Sequence, residues 1–178
     1  FGLVNNAGIG TKVADGARIV ETNTLGVRRV CEAFLPLLEP QGGRIVNVTS
    51  ASGPLFVAGA PPEVRRVLTD PDVTWPALEA LIAAHRAQGS SEAYGFSKAC
   101  TNSYTMILAR ENPALNINAC TPGYIATDMT MPAGADHKSA SELGMKTPRE
   151  GTHAPIHLLF DALEGNGRYY GSDARRSP

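Results

Sequence analysis

The sequence reads RIVNVTS at residues 44–50, an apolar, β-branched run that ends in two hydroxyl side chains. Such a run predicts a strand that is buried on both faces, as strands of parallel sheets are. Shorter runs at residues 1–5 (FGLVN) and 116–120 (NINAC) predict two further strands, and residues 167–171 predict a last one. Because helical patterns separate these runs, the sequence predicts an α/β domain with a mainly parallel sheet.

Helices are predicted where apolar side chains recur at three- and four-residue steps. The last of them begins at a capping box, TPRE at residues 147–150, with proline at the first helical position. Two connecting segments predict loops instead: residues 51–60, which are rich in glycine and alanine, and residues 130–146, which have weak periodicity. The predicted helices cover residues 19–38, 61–68, 76–87, 92–111 and 147–163.

Length and composition argue against several classes of protein. The 178 residues suit one domain, and the formal net charge of −1 lacks the basic excess that a nucleic acid or an anionic membrane requires. No apolar run approaches the roughly 18 residues of a membrane span.

The three cysteines form no C-x-x-C pair, so neither a disulfide framework nor a zinc site is predicted. His153 and His157 have the spacing of zinc proteases, but Ala154 stands where the catalytic glutamate belongs, so no metal site is predicted.

The motif with the most chemical content is YGFSK at residues 94–98. On a helix, Tyr94 and Lys98 share one face, so the phenol and the ammonium group reach the same space. The pKa of a free tyrosine is about 10, and a neighbouring cation lowers it, which makes the phenol usable for general acid–base catalysis. Taken alone, the motif is weak, because an exposed pair on a helix has the same spacing.

Other polar residues are predicted at the ends of strands, where α/β sheets bind their ligands. Ser50 follows the strand RIVNVT, and the segment PGYIAT at residues 122–127 follows the strand NINAC. Asn23 lies in the predicted helix over 19–38, although asparagine is a poor helix former. Each feature alone fits an ordinary turn, cap or exposed side chain, but their combination with YGFSK indicates a site.

The motifs together resemble the short-chain dehydrogenase/reductase family. The resemblance extends from Phe1 to about Tyr170 and rests on five motifs, whose sequences are NNAG, ETNTLG, NVTS, YGFSK and PGYIAT. It implies a Rossmann-like, doubly wound parallel sheet, of which this chain holds the C-terminal portion from the fourth strand onward. The segment 54–92 and NACTPGYIATDM resemble the carbonyl-reductase branch, in which a helical insert before the tyrosine covers the site and keeps the enzyme monomeric.

The resemblance implies a role for each residue of the motifs. Tyr94 would exchange a proton with the substrate oxygen, and Lys98 would lower the pKa of Tyr94 and bind the nicotinamide ribose. Ser50 would hydrogen-bond the substrate carbonyl, and Asn23 would hold a water molecule that connects Lys98 to solvent. The expected cofactor contacts are Asn6, Ala7 and Gly8 on the adenosine side, Tyr94 and Lys98 at the ribose, and Pro122, Gly123, Ile125 and Thr127 at the carboxamide.

The sequence departs from the family in one large respect. No glycine-rich phosphate loop is present, and measured against the family the strand at residues 1–5 is the fourth. We therefore interpret residues 1–178 as a partial domain whose N-terminal βαβαβ half is absent. The strand at residues 1–5 would then be a bare hydrophobic edge, prone to association with other chains.

The leading functional hypothesis is NADPH-dependent reduction of an aldehyde, ketone or quinone to an alcohol, with Tyr94 as proton donor. NADP(H) is preferred to NAD(H) on the resemblance to carbonyl reductases alone. One alternative is an NAD-dependent alcohol dehydrogenase of the same family, and another is a truncated, inactive fragment or interaction module. The expected partner is a small carbonyl compound, and the expected location is cytoplasmic.

The insert contains a cluster of apolar side chains with two open interpretations. It forms either a lid over the substrate or a packing surface against the body, and its members are Trp75, Leu78, Leu81 and Ile82.

Overall fold

Four parallel strands form one sheet in the order β1-β2-β3-β4 in the computed structural model. The strands are β1 (Gly2–Asn5), β2 (Arg44–Val48), β3 (Asn116–Cys120) and β4 (Tyr169–Tyr170). Each lies where the sequence predicts a strand, so the predicted α/β fold with a parallel sheet is confirmed. The structure describes residues 1–12, 14–85, 89–131, 137–163 and 165–177.

Helices pack on both faces of this sheet. Alternate side chains of β2 point to opposite faces. Ile45 packs in the core formed with helices α2 (Val27–Phe34) and α6 (Ser90–Glu111), and Val46 packs in a smaller core against α9 (His153–Phe160). The helices are α1 (Gly16–Val20), a π-helical turn (Glu21–Gly26), α2 (Val27–Phe34), a 3₁₀ turn (Leu35–Leu37), α3 (Ser52–Gly59), α4 (Pro62–Thr69), α5 (Trp75–Ala84), α6 (Ser90–Glu111), α7 (His137–Glu142), α8 (Pro148–Gly151) and α9 (His153–Phe160).

Two predicted loops differ from the structure. Residues 51–60 contain helix α3, so the predicted loop is wrong there. Pro54 lies in the first turn of α3, where a missing N–H is tolerated, and the helix is stabilised by packing on α6. Within residues 130–146, helix α7 replaces part of the predicted connection, and residues 132–136 lie outside the described residues.

The capping box at Thr147 is confirmed, since the side chains of Thr147 and Glu150 each accept a hydrogen bond from the other's backbone N–H. The helix predicted over 147–163 is nevertheless divided into α8 and α9 at Thr152. At the start of α5, Thr74 occupies the predicted N-cap position, but its side chain makes no capping hydrogen bond.

The helices of the insert pack on the body of the domain. The Trp75 ring meets the Tyr104 ring edge-on at 5.7 Å between centroids, and the Arg28 guanidinium lies 3.8 Å above the Trp75 ring. Leu78 and Ile82 are fully buried in the core of α2 and α6. This apolar cluster therefore packs against the body of the domain, and its action as a lid stays a prediction. The helical segment also begins at Ser52, before the predicted boundary at residue 54.

The π-helical turn lies between α1 and α2 and keeps one face of this long helix buried. Ile19, Asn23, Val27 and Cys31 are spaced four apart, and all four are buried. In an α-helix each step of four residues advances about 40° beyond a full turn, so such a series would drift off the buried face. The wider turn at Glu21–Gly26 absorbs the excess and leaves Asn23 directed inward.

A chain of buried amides connects the sheet to α6. Asn5 Nδ2 donates to Asn47 Oδ1 at 2.8 Å, and Asn47 Nδ2 donates to Thr105 Oγ1 at 2.9 Å. Asn5 Nδ2 also lies 3.1 Å from Cys31 Sγ on α2. Since buried polar groups are costly unless they are paired, this chain fixes the position of α6 relative to β1 and β2.

Strand β1 lies at an edge of the described sheet and carries apolar side chains there. Phe1 is 61% exposed and Val4 is 38% exposed. The Phe1 ring stacks on the ring of Phe160 of α9 at 5.6 Å, and Phe160 is exposed as well. No helix among the described residues is both long and apolar enough to cross a bilayer.

Two glycines allow α3 and α6 to approach closely. A Cβ on Gly53 would lie 3.1 Å from the backbone of Lys98 and Ala99, and a Cβ on Gly95 would lie 3.0 Å from the Ser52 carbonyl oxygen. Such contacts are too short for an unstrained methyl group. The crossing of the two helices therefore sets how Ser50, just before α3, meets the side chains of α6.

We expect Gly53→Ala to destabilise the protein by about 1–3 kcal/mol, because the added methyl overpacks the crossing. Urea denaturation measures the change. Gly59→Ala is the matched control, since it lies in the same helix and its Cβ would meet no atom within 4 Å. The control should be neutral or stabilising, by up to about 1 kcal/mol, because alanine is the better helix former. Equal effects of the two substitutions would contradict the close crossing.

Candidate active site

A cavity of about 660 Å³ lies at the carboxyl ends of β1, β2 and β3. Its volume falls within the range of about 300–1,000 Å³ that is usual for small-molecule sites. None of the described residues between 54 and 85 lines it, whereas the segments that follow β1, β2 and β3 all do. The predicted site residues that line it are Asn6, Ala7, Gly8, Ser50, Tyr94, Lys98, Pro122, Gly123, Ile125 and Thr127.

Lys98 reaches the cavity from α6 and is only 6% exposed. Its Nζ donates a hydrogen bond to the Val48 carbonyl oxygen at 3.2 Å. Burial disfavours the charged form and lowers the pKa of Lys98 to about 8. The ammonium group therefore holds its proton much less tightly than an exposed lysine does.

Tyr94 lies one turn before Lys98, and its ring centroid is 5.7 Å from Lys98 Nζ. Burial raises the pKa of Tyr94 above its usual value, and a hydrogen bond with the Ser50 side chain opposes this only in part. The net shift of the Tyr94 pKa is therefore upward, and the lowering of this pKa by Lys98 stays a prediction. Removal of the phenol from water outweighs its polar neighbours, and Tyr94 is protonated at neutral pH.

Ser50 is held at the start of α3. Its Oγ accepts a hydrogen bond from the Ser52 backbone N–H at 3.1 Å and lies 3.2 Å from Ser52 Oγ. These contacts and the interaction with Tyr94 leave the hydroxyl group at the cavity wall. Ser50 and Tyr94 are thus two O–H groups that face the same space from different elements.

Asn23 lies behind the cavity and fixes the loop that follows β1. Its Oδ1 accepts from the Ile9 backbone N–H at 2.9 Å, and its Nδ2 donates to the Ile9 carbonyl oxygen at 3.0 Å. A Cβ on Gly8 would lie 3.2 Å from Asn23 Oδ1 and 3.5 Å from Lys98 Nζ. A side chain at position 8 would therefore point into the space between the Asn23 and Lys98 side chains, and glycine leaves that space open.

The loop after β3 is held from behind by two later segments. Gly123 has φ of +96°, which favours glycine, and a Cβ there would lie 3.1 Å from Ser172 Cβ. Lys146 Nζ donates to Ser172 Oγ at 2.9 Å, and Ile125 forms a parallel bridge with Lys146. A Cβ on Gly151 would come within 2.9 Å of the Ile125 side chain.

Several cavity residues are absent from the sequence-based set. The capping box predicts the start of a helix, but nothing in the sequence indicates that α8 and α9 reach the cavity. Met129 is missed because it lies just after the motif PGYIAT. Lys12 Nζ donates to the Met131 carbonyl oxygen at 2.6 Å, which joins the loop after β1 to the segment after Thr127. The additional lining residues include Asp128, Met129, Thr130, Pro148, Gly151, Thr152 and Pro155.

The hydrogen-bond donors of the cavity wall suit a ligand that contains a sugar diol next to a flat ring. The Lys98 ammonium and the Tyr94 phenol are hydrogen-bond donors one helical turn apart on the cavity wall. Gly8 and Gly123 expose backbone on either side of them, so a ligand can approach closely. These features fit the ribose and nicotinamide of a dinucleotide cofactor.

The chain belongs to the short-chain dehydrogenase/reductase family. The family model described as short chain dehydrogenase matches residues 2–62. Carbonyl reductase [NADPH] 1 of Rattus norvegicus is 30% identical over 201 residues, which cover 99% of this chain and 69% of that protein. Its counterpart in Macaca fascicularis is 31% identical over 188 residues, which cover 93% of this chain and 64% of the relative. The chain thus spans about two thirds of the length of these curated relatives.

The fold agrees with solved structures. Salutaridine reductase from Papaver somniferum superposes with a TM-score of 0.76 at 24% identity, covering 95% of this chain and 71% of that one. The Rossmann-like α/β fold expected from the sequence is confirmed.

The burial of Lys98 predicts a pH dependence of stability. The pKa of Lys98 is about 8 in the folded protein, against the ordinary 10.5 in an unfolded chain, so between these pH values the unfolded chain binds more protons. The contribution of Lys98 to the free energy of unfolding must therefore rise with pH across this interval, by about 3 kcal/mol.

In Lys98→Met this contribution is absent. We expect the free energy of unfolding of the parent minus that of Lys98→Met to increase by about 3 kcal/mol from pH 8 to 10.5, in urea denaturation at a series of pH values. Subtraction removes the titration of the buried cysteines, which both proteins share. Lys12→Met, which removes an exposed lysine, controls for the loss of one charge. A difference that is independent of pH would contradict the cost of burying the ammonium group.

Proposed function

We propose that this chain carries the catalytic centre of an NADPH-dependent reductase that converts an aldehyde, ketone or quinone to an alcohol. The observation that carries the proposal is the meeting of Ser50, Tyr94 and Lys98 on one cavity wall, at the strand ends of a parallel sheet. The names of the curated relatives, carbonyl reductases that use NADPH, support the reaction and favour NADP(H) over NAD(H). The cytoplasmic location stays a prediction.

The cofactor contacts are proposed on the same cavity wall. Lys98 and Tyr94 would bind the ribose hydroxyls, and Gly123 would allow the carboxamide close to the backbone. When bound, the nicotinamide supplies a hydride to the carbonyl carbon of the substrate. The other proposed contacts are Asn6, Ala7 and Gly8 on the adenosine side and Pro122, Ile125 and Thr127 at the carboxamide.

The protein's own side chains supply hydrogen bonds and the proton. Ser50 Oγ donates a hydrogen bond to the carbonyl oxygen and stabilises the negative charge that develops there. Tyr94 donates its proton to the same oxygen, and its raised pKa keeps the phenol protonated at neutral pH. The nearby Lys98 ammonium stabilises the phenolate that remains.

Asn23 is proposed to order the water that connects Lys98 to solvent. The close approach of both side chains to Gly8 supports this role, since both polar groups lie near the one point where a Gly8 Cβ would stand. A proton taken from Tyr94 could then be replaced through Lys98 without opening the cavity.

The alternative, an NAD-dependent alcohol dehydrogenase, would use the same side chains in the opposite direction. Oxidation needs Tyr94 as a base, and the burial that raises the pKa of Tyr94 disfavours the phenolate that such a base requires. Assays with NAD⁺ and alcohols, run beside assays with NADPH and carbonyl compounds, separate the two. Absence of activity in both directions would favour the inactive fragment.

The decisive substitution is Tyr94→Phe, which removes the proton donor and keeps the ring. We expect kcat/KM for carbonyl reduction to fall at least about 100-fold. Oxidation of NADPH is followed by absorbance, with the protein expressed from its complete gene and a panel of aldehydes, ketones and quinones. The matched control is Tyr104→Phe, a buried tyrosine of the same helix outside the cavity, which should change kcat/KM by less than about threefold. Parental activity in Tyr94→Phe would refute the mechanism.

We also propose that the 178-residue chain by itself associates through β1. An edge strand with apolar side chains offers its free backbone groups to another strand. The exposure of Phe1, Val4 and Phe160 supports this proposal. The monomeric state expected for the whole protein stays a prediction.

Sedimentation velocity should therefore show dimers or larger species of the 178-residue chain, and Val4→Lys should shift them towards monomer, because a charge disfavours edge pairing. Leu55→Lys, which places the same charge on exposed α3, serves as the control and should leave the distribution unchanged. A monodisperse parent monomer would refute the association.

A further inference from the structure

Ser97 stands between the two proposed catalytic residues of α6 and is completely buried. Its Oγ donates a hydrogen bond to the Tyr94 carbonyl oxygen at 2.8 Å. In an α-helix the same carbonyl accepts the backbone N–H of Lys98. The Ser97 hydroxyl therefore acts on the one peptide group that joins the turn from Tyr94 to Lys98.

The same hydroxyl is also bonded to the neighbouring helix. Asn23 Nδ2 donates to Ser97 Oγ at 3.3 Å, in addition to its bond with Ile9. Ser97 Oγ thus connects the π-helical turn, which carries Asn23, to the Tyr94 carbonyl. No other side chain with a described hydrogen bond joins these two groups.

The backbone of Ser97 reinforces this connection. Thr24 Oγ1 donates to the Ser97 carbonyl oxygen at 2.9 Å. Thr101 Oγ1 lies 2.8 Å from both the Ser97 and the Asn23 carbonyl oxygens, and its single proton serves one of them at a time. The side chains of Asn23, Thr24 and Thr101 therefore fix the position of α6 along the π-helical turn at Ser97.

A second buried serine of α6 shows what an ordinary structural role looks like. Ser103 is also completely buried, and its Oγ lies 2.9 Å from the Leu68 carbonyl oxygen and 3.2 Å from that of Ala99. These bonds connect α6 to α4 and touch no residue of the cavity. Ser97 differs from it in bonding Asn23 and Tyr94 through one oxygen.

We propose that Ser97 is a positioning residue that couples Asn23 to the Tyr94–Lys98 turn and holds the phenol and the ammonium group in register on the cavity wall. The proposal rests on the proposed function, because it assigns Ser97 a part in aligning Tyr94 for proton donation. Ser97 itself touches neither substrate nor cofactor.

The kinetic test compares Ser97→Ala with Ser103→Ala in the protein expressed from its complete gene. Both remove one buried hydroxyl from the same helix, so a general loss of packing affects both alike. We expect Ser97→Ala to lower kcat about tenfold with KM for the carbonyl substrate changed less than about threefold, since misalignment affects the reaction more than binding. Ser103→Ala should leave kcat within about twofold of the parent. Equal kcat values in the two variants would overturn the proposal.

A double-mutant cycle tests the coupling itself. If Ser97 acts through Asn23, the kcat of Asn23→Ala/Ser97→Ala should equal that of Asn23→Ala alone, because the second substitution removes a connection that is already lost. Asn23→Ala/Ser103→Ala should show the product of the two single effects. Independent effects of Ser97→Ala and Asn23→Ala would also overturn the proposal.

Amide hydrogen exchange gives a readout that needs no turnover. The Lys98 N–H bonds to the Tyr94 carbonyl, so its exchange should be faster in Ser97→Ala and in Asn23→Ala than in the parent, and unchanged in Ser103→Ala. If the parent reduces no carbonyl compound but the exchange responds in this way, the proposed function fails and the coupling stands. If exchange at Lys98 does not distinguish Ser97→Ala from Ser103→Ala, the coupling fails whatever the activity.

Discussion

Parallel pairing of β1, β2 and β3 places three carboxyl-terminal strand ends at one edge of the sheet, and the cavity is built there. Residues far apart in sequence, such as Asn6, Ser50 and Pro122, become neighbours only through this register. The amide chain from Asn5 through Asn47 to Thr105 then fixes α6 to the same strands. The side chains of α6 are consequently held at a fixed position relative to the strand ends. The close crossing of α3 and α6 at Gly53 and Gly95 fixes the position of α6 further.

Burial sets the electrostatic character of this site. It lowers the pKa of Lys98 to about 8 and raises that of Tyr94, so the two groups are shifted in opposite directions by one cause. Transfer of a proton from the Lys98 ammonium to a Tyr94 phenolate is therefore favourable in this environment. The arrangement suits a phenol that donates its proton and must then be reprotonated. The buried charge of Lys98 lowers the free energy of unfolding.

The sequence carries enough local information for the strands, for most helices and for ten of the residues that line the cavity. These follow from periodicity and from motifs, which are properties of neighbouring residues. Helix α3 is missed because a segment rich in glycine and alanine indicates a loop, and its packing on α6 stabilises the helix. The direction of the Tyr94 pKa shift and the bonds of Ser97 are missed for a related reason, since burial and contacts across 74 residues exist only in the folded chain.

The π-helical turn at Glu21–Gly26 makes the geometry of the site depend on how many residues this segment contains. It keeps Ile19, Asn23 and Cys31 on one face by holding one residue more than an α-helical path would need. Loss of a single residue here would restore an uninterrupted α-helix, with its hydrogen bonds intact. Ile19 and Cys31 would stay on one face, because eleven α-helical steps come within about 20° of three full turns. Selection on this segment therefore acts on its length as well as on its composition, because a gap of one residue removes the turn that directs Asn23 towards Ser97 and leaves the helix itself intact.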